Sequence, residues 1–151
     1  MKVLIVIGSQ TDEEVMKECS KWLTWFGIEH QMILASAHRN PERVRELMQE
    51  ARPAGYKIVV AAAGMAAALP GVCAAYTSLP VIGVPLEGGL PGGIDALYSI
   101  VQMPAGLPVA TVAVGKAGAR NAAVLCARIF AVSHPEMEER LEQFKEKEYR
   151  I

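Results

Sequence analysis

Apolar and polar positions fall into blocks that switch between two periods along the chain. Val3 to Ile7 is an unbroken, largely β-branched apolar run that stops at Gly8-Ser9, which predicts a parallel strand buried on both faces and entering a turn. Thr11-Asp12-Glu13-Glu14 then predicts a capping box, and the spacing Val15, Cys19, Trp22, Phe26 predicts a helix that Gly27 closes. A second unit repeats the plan: a strand from His30 to Ala35, a loop Ser36-Ala37-His38-Arg39, and a helix opened by Asn40 as N-cap and Pro41 in the first turn. Its apolar face is Val44, Leu47, Met48 and Ala51, and Pro53-Ala54-Gly55 breaks it.

Ile58 to Ala63 predicts a third buried strand, ending at Gly64. The segment Ala66 to Ser78 is small and helix-compatible with Pro70 in its first turn, and its lack of polar residues predicts cover on all sides. Val81 to Val84 is a fourth strand, and the loop Glu87 to Gly93 after Pro85 is glycine-rich enough to be expected mobile. Ile94 to Gln102 predicts a short helix, Val109 to Val114 a fifth strand, and Ala119 to Ala131 an alanine-rich helix. Ser133-His134-Pro135-Glu136 opens a charged C-terminal helix, about 134–150, with the narrow stripe Met137, Leu141 and Phe144.

Strands alternating with helices at this spacing require a parallel sheet with right-handed crossovers. The expectation is one three-layer α/β domain over 1–151, flavodoxin-like (Rossmann-like), with strand order 2-1-3-4-5. No internal repeat interrupts it.

Composition and charge then narrow the function. With 151 residues, 52% of them hydrophobic and 21% charged, one domain accounts for the chain and leaves an excess of alanine that points to subunit contacts. Fifteen basic against 16 acidic side chains, with no basic run, give no electrostatic case for nucleic acid or a membrane surface. The N-terminal apolar run is too short for a signal peptide and no segment has the length of a membrane span, so a cytoplasmic protein is expected. Cys19, Cys73 and Cys126 sit apart within apolar patterns, as reduced core residues do.

In such a sheet the loops leaving the strand C-termini meet on one rim. Here they are Gly8 to Asp12, Ser36 to Arg39, Ala63 to Ala66, Pro85 to Gly93, and Gly115 to Gly118. Several are glycine-rich and abut helix starts, where backbone N–H groups can cradle a phosphate, although glycine serves plain turns equally. Arg39 would supply a bidentate counter-charge. His38 is the one histidine on the rim. A lone loop histidine is commonly a surface residue, yet beside an arginine and a phosphate-type turn it is a general acid/base for neutral pH. Asp12 has two readings, a cap for its own helix or a partner for a ribose hydroxyl. Histidines and cysteines never cluster at metal-ligand spacing, no G-x-S-x-G elbow occurs, and no G-x-G-x-x-G follows the first strand. Acid/base chemistry on a phosphorylated small molecule, with neither cofactor nor metal, is what remains.

Five stretches resemble the carboxyaminoimidazole ribonucleotide mutase and aminoimidazole ribonucleotide carboxylase family of purine biosynthesis. They are GSQTD at 8–12, SAHRNP at 36–41, AGMAAALPG at 63–71, LPVIGVP at 79–85, and the long block GGIDALYSIVQMPAGLPVATVAVGKAGARNAA at 92–123. The resemblance implies a homo-octamer with active sites at subunit junctions, and a C-terminal helix lying on a neighbouring subunit. It also implies roles: Ser9, Asp12 and Arg39 hold the ribose phosphate with Ser36 beside them, Gly64, Met65, Ala66 and Leu69 complete the substrate wall, and His38 moves the proton. In the mutase reaction a carboxylate leaves the exocyclic nitrogen as CO2 and C4 of the imidazole attacks it.

Two positions depart from the family. Bacterial mutases usually read AGGAAHLPG, whereas this chain has Met65 for the second glycine and Ala68 for the histidine, so a second imidazole is missing. The animal-type carboxylase, which uses free CO2, also lacks that histidine, but it reads SAHK where this chain has SAHR. The AGM-x-x-ALP pattern is also similar to a carboxylase domain that acts on a pyridine nucleotide, which lacks SAHR and SIVQMP. The alternatives to the mutase are therefore a CO2-dependent carboxylase, a divergent paralogue working on another phosphoribosylated ring, and a nucleotide-binding assembly protein without catalysis.

Overall fold

The computed structural model describes every residue, Met1–Ile151. Five parallel strands, β1 (Lys2–Ile7), β2 (Glu29–Leu34), β3 (Ile58–Gly64), β4 (Val81–Leu86) and β5 (Ala110–Thr111), form one sheet in the order β2-β1-β3-β4-β5. The apolar runs of β1, β3 and β4 are buried along nearly their whole length because these strands are central, with helices on both faces. β2, on the edge, alternates between exposed and half-buried positions instead.

The helices divide between the two faces. α1 (Glu13–Trp25), α5 (Gly115–Ala131) and α6 (Pro135–Glu146) bury Met16, Leu23, Ala123 and Phe130 against Val3, Ile5 and Val60. On the other face α2 (Pro41–Ala51), α3 (Leu69–Tyr76) and α4 (Ile94–Val101) bury Val44, Met48, Leu69 and Ile100 against Leu4, Val6 and Val59. Each fully covered aliphatic side chain contributes roughly 1.5–3 kcal/mol to folding, so both stripes are needed to hold the sheet between its two helix layers. Cys19, Cys73 and Cys126 are free and buried, and burial pushes the thiols of Cys19 and Cys73 up to about 12, which leaves them inert at neutral pH.

The structure corrects several expectations. The capping box at α1 belongs to Ser9 and Asp12, because a 3-10 turn over Gln10–Asp12 precedes the helix; Glu14 pairs with Lys17 at 3.1 Å instead. β5 spans two residues, not six. After Val112 donates to the Gly83 carbonyl, the chain leaves the sheet to start α5, with the Ala113 carbonyl against Gly118. α3 is not covered on all sides, since Tyr76 at its C-terminus is exposed. In the glycine-rich loop Glu87 to Gly93 the Leu90 amide donates to Asp95 at 3.1 Å, an anchor in the first turn of α4. At α6 the capping residue is His134, and the Ser133 hydroxyl lies 3.0 Å from its Nδ1 without capping an amide. Within the chain the stripe of α6 is covered, Phe144 meeting Trp22 and Phe26 at ring separations of 5.3 Å with Met137 fully buried, which leaves the other faces of the helix for the neighbouring subunit that the resemblance implies.

Candidate active site

Four of the five rim loops converge on a single cavity of about 370 Å³, within the range that holds a nucleotide-sized ligand. The first side of it follows from how β1 ends. Ser9, in extended conformation, turns the chain out of the sheet; its amide donates to Asp12 Oδ2 at 2.9 Å and its hydroxyl lies 2.9 Å from that of Thr11. The Asp12 carboxylate is therefore fixed over the end of the strand. Burial holds its pKa above the ordinary value, against the opposing pull of the Ser9 and Gly8 amides.

The second side is a turn built by Ser36. Its carbonyl accepts from the Asn40 amide at 2.9 Å and its hydroxyl from the Arg39 amide at 3.3 Å, so Ala37, His38 and Arg39 project on a tight loop. Asn40 then caps α2 by accepting from the Arg43 amide at 3.2 Å, with Pro41 next to it. The His38 ring and the Arg39 guanidinium have no hydrogen-bond or ion-pair partner in the chain. Both are exposed on the cavity. Arg39 is the only lysine or arginine lining it, and so the only permanent positive charge available to an anionic ligand.

The third side runs from Gly64 to Leu69. The Ala67 amide donates to the Gly64 carbonyl at 3.0 Å, closing a turn in which Met65 has φ +56 and Ala67 φ +31. Left-handed backbone at a residue with a side chain costs roughly 1–2 kcal/mol, and Met65, 60% exposed, recovers little of that by burial. α3 starts without a side-chain cap, so no side chain competes with a ligand for its first amides. Glu87 and Gly88 supply the fourth side.

Ser9, Asp12, Ser36, His38, Arg39, Gly64, Met65, Ala66 and Leu69, which the sequence singles out, all line this one cavity. The fifth loop does not reach it. Gly115 and Lys116 border a second space of about 300 Å³ that shares Thr11, Asp12 and Glu87 with the first. Thr11 and Glu87 are the polar lining residues that the sequence reading passed over. Their signal was position, each lying within a few residues of the end of a central strand. Chemically, the cavity offers a free imidazole, a free guanidinium, a half-buried carboxylate, the hydroxyls of Ser9, Thr11 and Ser36, and backbone amides at the start of α3. That set can fix a phosphorylated sugar and move a proton on what the sugar carries.

The family described as AIR carboxylase matches residues 2–150. An N5-carboxyaminoimidazole ribonucleotide mutase of Pseudomonas aeruginosa is 46% identical over 141 residues, covering 93% of this chain and 86% of that protein. One from Pyrococcus abyssi is 48% identical over 145 residues, covering 96% of this chain and 82% of that protein. Among solved structures, Treponema denticola PurE superposes with a TM-score of 0.87 at 28% identity, covering 97% of this chain and 90% of that one. No helix is long and apolar enough to cross a membrane.

Proposed function

The chain belongs to the AIR carboxylase family, and from that membership we propose that it isomerises N5-carboxyaminoimidazole ribonucleotide to the 4-carboxylate in purine biosynthesis. The observation that carries this reading is the cavity itself, where the unpartnered His38 and Arg39 face Ser9 and Asp12 across a space sized for the nucleotide.

Arg39, Ser9, Asp12 and Ser36 bind the ribose phosphate and so fix the ring relative to His38. The N–CO2 bond breaks, and His38 in its imidazolium form gives its proton to the exocyclic nitrogen. C4 of the ring forms its new bond to the CO2 held in the site, and the C4 proton returns to His38. One group thus acts as acid and then as base, and no net proton is consumed. Gly64 to Ala66 and Leu69 form the wall behind the ring.

The proposed assembly is a homo-octamer in the cytoplasm. Leu90, Ile94, Tyr98 and Val101 leave an exposed apolar stripe on and before α4, as a subunit contact requires, and mass measurement in solution checks the count. The reaction is tested by mixing the protein with N5-carboxyaminoimidazole ribonucleotide, or with aminoimidazole ribonucleotide plus bicarbonate, and following absorbance of the 4-carboxylate. Turnover of the first substrate is expected; turnover of the second alone indicates a CO2-dependent carboxylase, and turnover of neither overturns the reading.

A further inference from the structure

The loop that closes the fourth side of the cavity is held from behind by a carboxylate whose second oxygen is idle. Asp95, in the first turn of α4, accepts from the Leu90 amide through Oδ2 at 3.1 Å. Its Oδ1 is buried and has no hydrogen-bond partner, the one such side-chain atom in the chain. Leaving an acceptor buried and unpaired is costly, and such atoms in native folds are few. The amides of Gly88 and Gly89 for their part donate to nothing within the chain. Unused donors and an unused acceptor thus lie on neighbouring segments.

The packing shows why they are close. A side chain at Gly89 would overlap Asp95 Oδ2, so only glycine lets the loop approach the carboxylate this nearly. Met65 is near as well, its Cγ 3.5 Å from where a Gly89 Cβ would sit and 3.8 Å from that of Gly88. Gly89 thus lies close to both Asp95 and Met65 and Gly88 close to Met65, while Met65, Glu87 and Gly88 line the cavity.

We propose that Asp95 is a positioning residue for the nucleotide: when substrate fills the cavity, the loop seats and the Gly89 amide donates to Asp95 Oδ1, so that the carboxylate holds Gly89 and Leu90 together. This rests on the functional reading above, which supplies the ligand. Asp95 does not touch the substrate. It acts by fixing the Glu87-Gly88 wall that does.

Asp95→Asn separates the two oxygens. The asparagine carbonyl keeps the bond from Leu90, while the amide nitrogen in place of Oδ1 cannot accept from Gly89. Expected for D95N are an unchanged melting temperature and assembly size, a KM raised about fivefold to tenfold, as loss of one such bond gives, and a kcat within about twofold of wild type. Hydrogen exchange over 86–93 provides the second readout. Aminoimidazole ribonucleotide protects the loop by about one further amide in wild type and not in D95N. Equal KM and equal protection in the two proteins overturn the proposal, as does a D95N that changes assembly size, which would place Oδ1 in a subunit contact. Wild type active with D95N unaffected sinks this inference alone; wild type inactive on both substrates sinks the functional reading and this with it.

Discussion

The Ser9 amide donates to the Asp12 carboxylate at 2.9 Å, so the group that caps the 3-10 turn before α1 is also the half-buried carboxylate of the cavity. Its two readings from sequence, helix cap and ligand partner, are therefore compatible: Oδ2 serves the backbone, and the proposed contact with the ribose would use the other oxygen. Burial raises the Asp12 pKa above the ordinary 3.8. A raised carboxyl contributes its stability below the unfolded pKa and loses it as pH rises through the folded pKa, so at neutral pH the ionised Asp12 weakens the fold.

Asp12→Asn keeps the acceptor for Ser9 and stays neutral. It is expected to be at least as stable as wild type at pH 7, with the difference closing as pH falls below 3.8. Its kcat/KM should fall by roughly 10- to 100-fold, as loss of a hydrogen bond to a charged group does. Urea titrations at pH 7 and pH 3 beside steady-state kinetics check both halves. A variant less stable than wild type at pH 7 would mean that the cap outweighs desolvation.

His38→Asn removes the proposed proton carrier, an exposed side chain outside the hydrophobic core. Turnover should drop by roughly 10²–10⁴-fold, the usual contribution of a general acid/base, while nucleotide still raises the melting temperature as it does for wild type. Ala68 leaves no second histidine on this rim to substitute for it. Activity within a few-fold of wild type would remove His38 from the mechanism.

Arg39→Ala takes away the cavity's one permanent cation. The expected result is a KM raised roughly 10- to 100-fold at nearly constant kcat, since a bond to the phosphate acts equally on ground and transition states. A fall in kcat at unchanged KM would instead place Arg39 at the reacting ring.

The central strands were legible from sequence because a strand covered on both faces must be apolar throughout, as Val3 to Ile7 and Ile58 to Ala63 are. The Asn40-Pro41 start of α2 was legible because capping is local chemistry. β5 was not: Val109 to Val114 has strand composition, but its length in the sheet is set by where α5 must begin, a tertiary requirement. The rim loops announced His38, Arg39 and Asp12 by residue type. The close approach of Gly89 to Met65 and Asp95 was hidden, because it joins three segments that only the fold brings together.

Met65 tests what the site gives up for its side chain. Its φ of +56 lies where glycine is unstrained and other residues pay roughly 1–2 kcal/mol, and at 60% exposure its burial offsets little. Met65→Gly relieves that strain but adds backbone freedom to the unfolded chain, roughly 0.5–1 kcal/mol, so a net gain of about 0.5–1 kcal/mol is expected. For a chain of this length that is a rise of roughly 1–4 °C in melting temperature. The same substitution takes away the contact with the Gly88-Gly89 loop and opens the wall beside Gly64. Thermal melts and kinetics on one preparation therefore separate the two effects: a higher melting temperature together with a higher KM identifies Met65 as a residue kept for the loop at the expense of stability. A lower melting temperature would show that its contact with the loop outweighs the strain of its backbone.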